Sequence, residues 1–226
     1  MRRRDFITLI GIAAASWSIE ARAEQSERMR RIGVLMGWPE NDPEAQSERA
    51  AFVHELQKLG WVDGRNLRID TRWAAPADPE SMHRLARELV ALQPDLLLSQ
   101  STPATSALLQ ETRTIPVIFG IAGDPIGSGF VASFPRPGGN ATGFASAEQT
   151  QAGKWVELLK EIAPRVTRVA VLFNPEMATY AEFWLKPFKA AAPSFAMEVI
   201  LAPVHNPSEL ESVIAAQARE PNSGLF

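Results

Sequence analysis

The chain has 226 residues, 46% hydrophobic and 22% charged, with a formal net charge of -3. That composition describes a globular protein with enough length for one large or two small cores, and it excludes default disorder and a basic field able to hold nucleic acid. Cysteine is absent and the three histidines, His54, His83 and His205, are widely spaced, which excludes disulfides, thiolate chemistry and a zinc cluster.

The first 23 residues read as an export signal: basic Met1-Arg-Arg-Arg, a mostly apolar run over 6–19, then the small-x-small pattern Ala21-Arg-Ala23. The apolar run of 14 residues falls short of the roughly 20 that cross a hydrocarbon core. Arg3-Arg4 before Asp5-Phe6-Ile7 resembles the twin-arginine pattern, with Arg2 where Ser or Thr usually stands. Cleavage after Ala23 removes four arginines and two acids, moving the net charge to -5.

The remainder alternates strand and helix. Arg31-Ile-Gly-Val-Leu-Met-Gly37 is a short apolar strand closed by glycine, followed by a helix over 44–59 that ends at Gly60. A strand over 66–72, a helix from Pro79 to about 92, a strand over 95–99, a helix over 103–112 and a strand over 115–119 complete a first lobe. The Pro/Gly cluster at 135–140 and the extended segment 141–145 mark its exit.

From Gln149 the alternation restarts: a helix to about 162, a strand over 168–173, a helix over 179–191, a strand over 197–201 and a helix over 207–218. The predicted fold is therefore α/β, with two Rossmann-like lobes of parallel strands flanked by helices, spanning 24–145 and 146–226. Only two strands are legible in the second lobe, which reads as incomplete, as if the chain were truncated.

In such sheets ligands bind beyond the carboxyl ends of the strands. Gly120-Ile-Ala-Gly-Asp-Pro-Ile-Gly-Ser-Gly129 sits there, but lacks the lysine of a phosphate loop and follows the fourth strand, not the first. Its glycines suit tight turns. Ser101 and Thr102 precede a helix started by Pro103; they suit an ordinary cap and equally a carboxylate site. Asp124 is placed to hold an amino group, and Trp38 and Phe144 to enclose an apolar moiety, or else to sit in the core or on the rim. No catalytic constellation stands out: His54-Glu55 is followed by Lys58 where a second histidine would complete a zinc helix, and Ser128 lies in no nucleophile elbow.

Gln57-Lys-Leu-Gly-Trp, Gly64-Arg-Asn-Leu, Pro94-Asp-Leu-Leu-Leu, Ile115-Pro-Val-Ile-Phe, the run 123–133 and Arg136-Pro-Gly-Gly-Asn-Ala-Thr-Gly together make the chain resemble ABC transporter substrate-binding proteins, of the family that includes tryptophan and tyrosine binders. The resemblance implies a type I periplasmic binding fold and a non-catalytic periplasmic component of an importer. Two lobes would close by a hinge near 143–149 over a small ligand, such as an aromatic or branched amino acid. It implies an inner-membrane ABC permease as partner, a monomer, no nucleic acid, and no cofactor or metal. Ser101 and Thr102 would take a carboxylate, Asp124 an ammonium, Trp38 and Phe144 the side chain, and Asn174 would contribute from the second lobe. Competing readings are an exported α/β enzyme, a sensor's ligand-binding domain and a nonfunctional fragment.

Overall fold

A computed structural model describes residues 28–75, 78–145, 151–176, 178 and 180–226. The expected export signal and most of the expected hinge, residues 146–149, lie outside these. Among the described residues no helix is long and apolar enough to cross a membrane.

Among the described residues, eight strands form two parallel sheets. The first contains β1 (Arg30–Met36), β2 (Leu67–Trp73), β3 (Leu96–Gln100), β4 (Val117–Ala122) and β5 (Ala141–Ala145), in the order β2-β1-β3-β4-β5. The second contains β6 (Arg168–Phe173), β7 (Glu198–Pro203) and β8 (Ser223–Leu225), in the order β7-β6-β8. Strand β8 is a third strand in the second sheet, beyond the two legible in the sequence; three residues are too few to show a periodicity.

Alternation along the strands divides the first lobe into two cores. Leu35, Leu97, Val117 and Phe119 face α2 (Pro79–Ala91) and α3 (Thr102–Glu111), where Leu85, Leu89 and Leu108 complete one cluster. Ile32, Val34 and Met36 face the other way with Leu96 and Leu98, against Phe52 and Leu56 of α1 (Pro43–Lys58). In the second lobe, α4 (Gln151–Ile162) and α5 (Ala181–Ala191) pack Val156 and Phe188 onto Val169 of β6. Helix α6 (Pro207–Gln217) buries no residue fully.

Four helix starts share one local device. Asp42, Asp78, Ser101 and Asn206 each accept a backbone N–H from the first turn, and each is followed within two residues by proline. The cap satisfies an otherwise orphaned donor, while proline supplies a helical φ without needing a partner of its own. Three of these starts follow β1, β2 and β3 and bring the chain back across the sheet.

Strand β4 runs past its expected end through Gly120 to Ala122, with an irregular register against both neighbours near that point. The bend carries the following loop, Gly123 onward, above the carboxyl edge of the sheet.

Candidate binding site

The 123–131 loop folds on itself before it meets the second lobe. Ser128 N donates to Asp124 O at 2.9 Å, Gly129 N to Ile126 O at 2.9 Å, and Phe130 N to Pro125 O at 2.9 Å. Gly129 has a φ of +72°, in the left-handed region that glycine occupies without penalty. Asp124 closes the turn by accepting Gly127 N on Oδ1 at 2.8 Å.

Its other carboxylate oxygen, Oδ2, is buried and has no hydrogen-bond partner, and the whole residue is only 6% exposed. Burial pushes the Asp124 pKa up, partly opposed by N–H groups of Gly127 and Ile126 that favour the charged form. An unpaired carboxylate oxygen held out of water is costly unless something cationic or hydrogen-bonding reaches it.

The start of α3 is tied to the same loop. Thr102, 5% exposed, accepts Gly123 N on Oγ1 at 3.0 Å, which leaves its hydroxyl proton available to donate. Ser101 caps the helix behind it, accepting Ala104 N at 3.3 Å. Its backbone has φ 115° and ψ 156°, a region nearly restricted to glycine. Gly37, at the end of β1, lies so close that a β-carbon there would overlap the Ser101 side chain. Strain thus sits at the junction of β1 and β3, where the strand order reverses direction.

The second lobe meets this edge with aromatic rings. A β-carbon on Gly123 would overlap the Tyr180 ring, and one on Gly127 would stand 3.0 Å from Cε2 of Phe183. Trp184 Nε1 donates to Gly123 O at 3.3 Å. Gly123 therefore serves as the seat for the Tyr180 ring, whereas Gly127 is kept small first by the Asp124 carboxylate, whose Oδ2 a β-carbon there would overlap, and only then by Phe183.

A cavity of about 570 Å³ opens along this seam. The first lobe supplies Thr102, Ser106, Asp124, Gly127, Ser128 and Phe130; the second supplies Tyr180, Glu182, Phe183 and Lys186. Burial raises the Tyr180 pKa, so at neutral pH its phenol is a donor. The walls offer two carboxylates, Asp124 and Glu182, against one lysine, with several hydroxyls, a balance that suits a small ligand bearing an amine.

Of the residues singled out in the sequence, Thr102 and Asp124 line this cavity, and Ser101 stands behind it as the cap. Trp38 packs with the β1 and α1 core, because the chain turns at once toward α1, with Asp42 N donating to Pro39 O at 3.0 Å. Phe144 is 71% exposed on edge strand β5. Asn174 folds onto its own loop, accepting Glu176 N on Oδ1 at 2.9 Å. None of these three lines the cavity. Sequence reasoning missed Tyr180, Phe183 and Lys186, whose spacing reads as the ordinary apolar face of a helix; the one pointer was Tyr180, the only tyrosine in the chain.

Two α/β lobes with parallel sheets and a crevice at the strand ends define the type I periplasmic binding fold. The model of the family described as ABC transporter substrate binding protein matches residues 40–224, and the chain belongs to that family of solute-binding proteins. A tyrosine-binding protein of Clostridioides difficile (strain R20291) is 29% identical over 157 residues, covering 70% of this chain and 44% of that protein. The crystal structure of a conserved domain protein from Vibrio cholerae matches with a TM-score of 0.73 at 28% identity, over 84% of this chain and 62% of that one. The ABC domain from Streptococcus pneumonia in complex with L-Trp matches with a TM-score of 0.73 at 26% identity, over 87% of this chain and 65% of that one. The chain spans less than two thirds of the length of each.

Proposed function

We propose that this protein is the solute-binding component of an ABC importer, acting as a monomer in the periplasm and delivering a small amine-bearing ligand to a membrane permease. The ligand is an amino acid, held between the two lobes and released when they part. Asp124 takes its ammonium group; the Thr102 hydroxyl and Lys186 take its carboxylate. The observation that carries this reading is the Asp124 carboxylate, buried in the interlobe wall with Oδ2 unpartnered. An ammonium group supplies the missing partner and offsets the cost of burial. The tyrosine-binding relative and the L-Trp complex support the choice of an amino acid.

Titration calorimetry with a panel of L-amino acids tests the assignment. A saturable heat is expected, with Asp124→Asn weakening binding about ten- to a hundredfold, the size of a hydrogen bond to a charged group. Wild-type affinity should also fall as pH drops through the raised Asp124 pKa, because the protonated carboxyl cannot pair with an ammonium. Absence of heat across the panel, or an Asp124→Asn protein that binds as well as wild type, overturns the reading.

A further inference from the structure

The cavity at the lobe seam is lined by three charged side chains, and a zwitterion with a neutral side chain matches two of them. Asp124 and Glu182 are acidic and Lys186 is basic; the other lining residues bring hydroxyls, rings and a glycine. With an ammonium on Asp124 and a carboxylate on Lys186, Glu182 is left over. The lining then keeps one net negative charge, and such a charge becomes costly when closure removes water from around it.

Glu182 and Lys186 stand one helical turn apart in α5, with the acid on the N-terminal side, a spacing and order that favour an ion pair. They make none. Among the described residues neither side chain has an ion-pair or hydrogen-bond partner, both are exposed, and both border the cavity together with Phe183. Two opposite charges held apart in this way are open to separate groups of one ligand.

The two acids face each other across the seam. A β-carbon on Gly127 would overlap Asp124 Oδ2 and also stand 3.0 Å from Phe183 Cε2, so the unpartnered oxygen and the Phe183 ring are about a methyl group's width apart. Glu182 is the residue before Phe183. An ammonium on Asp124 therefore lies against the turn of α5 that carries Glu182, inside the same cavity. An alkyl chain leaving it gains apolar contact with Phe183, and a cation at its end gains from the rings as well as from the acid.

We infer that the ligand is a basic amino acid, with its α-ammonium on Asp124, its carboxylate on Lys186 and the Thr102 hydroxyl, and its side-chain cation on Glu182, which sets the specificity. The inference rests on the amine-binding reading above and adds a third charged contact to it.

Titration calorimetry compares L-lysine with L-norleucine, which has the same four-carbon side chain without the terminal ammonium. The proteins are wild type, Glu182→Gln, Asp124→Asn and Glu211→Gln, the last changing an exposed acid of α6 outside the cavity; circular dichroism checks that each is folded. Wild type is expected to bind L-lysine about five- to tenfold more tightly than L-norleucine, somewhat more than a fully exposed ion pair contributes, because closure strengthens the contact. That ratio should fall to within about twofold of unity in Glu182→Gln and keep its wild-type value in Glu211→Gln. Asp124→Asn should weaken both ligands about ten- to a hundredfold and retain the preference for L-lysine. The Glu182 assignment is overturned by a wild type with no preference for L-lysine, by a ratio that Glu182→Gln leaves at the wild-type value, or by an equal drop in Glu211→Gln; the amine reading then stands if Asp124→Asn still weakens both ligands. If Asp124→Asn binds both as wild type does, the amine reading falls and the assignment with it.

Discussion

Ser101 carries a conformation that an L-residue adopts at a cost of about 1–3 kcal/mol, and it does so while capping α3. Replacing it with glycine removes the strain but also the cap, and glycine is a tolerable cap that loses only a few tenths of a kcal/mol. Ser101→Gly should therefore raise the melting temperature, whereas Ser101→Ala keeps the strain, loses the cap and should lower it; thermal unfolding of the two variants decides the point. The sequence showed that Ser101 and Asp124 sit at strand ends, since position follows from periodicity. It could not show the strain or the orphaned oxygen. Both depend on how β3 and β4 pass one another at the edge, a relation between segments more than 20 residues apart.

Among the elements, the strand and helix order was legible nearly throughout, because period-two and helical spacing are local and the cap-then-proline starts mark the boundaries. Two elements were harder to read. Strand β8 is too short to carry a pattern, and α5 hides a binding wall in what looks like a core stripe, since Tyr180, Phe183 and Trp184 are as apolar as buried residues would be. The start of β1 shows a different kind of tie. Asp95, in the turn before β3, accepts Arg31 N at 2.9 Å and Arg30 Nη1 at 2.9 Å. The Arg31 amide, first, and the Arg30 guanidinium hold its pKa below the usual carboxylate range, with burial opposing. A folded pKa below the unfolded one adds stability above the unfolded value, and that stability is lost as pH falls through the folded one. Asp95→Asn should then unfold more easily at neutral pH, and its deficit in urea melts should shrink as pH falls below about 4.

At the scale of the whole molecule, two lobes meet through rings seated on backbone. Gly123→Ala places a methyl group where the Tyr180 ring lies, so the lobes must part or the ring must leave. Small-angle scattering should show a larger radius of gyration for Gly123→Ala, with ligand affinity reduced and each lobe still folded. Adding Tyr180→Ala should restore the compact form, and a double variant as open as the single one would rule out the ring as the cause. The two-lobe plan was legible in the sequence from the repeated alternation; the Pro/Gly cluster at 135–140 lies inside the first lobe, before its edge strand β5. The face each lobe turns to the other was not, because the reason for Gly123 being small, the Tyr180 ring, lies in the opposite lobe.

That seam also bears on time. If the lobes close over a solute as proposed, parting them lifts Tyr180 and Phe183 from the loop and breaks the Trp184 bond to Gly123. Residence time is then set by the unseating of three aromatic side chains more than by the contacts of the solute itself, so ligands of different affinity would share a common upper limit on their rate of exit.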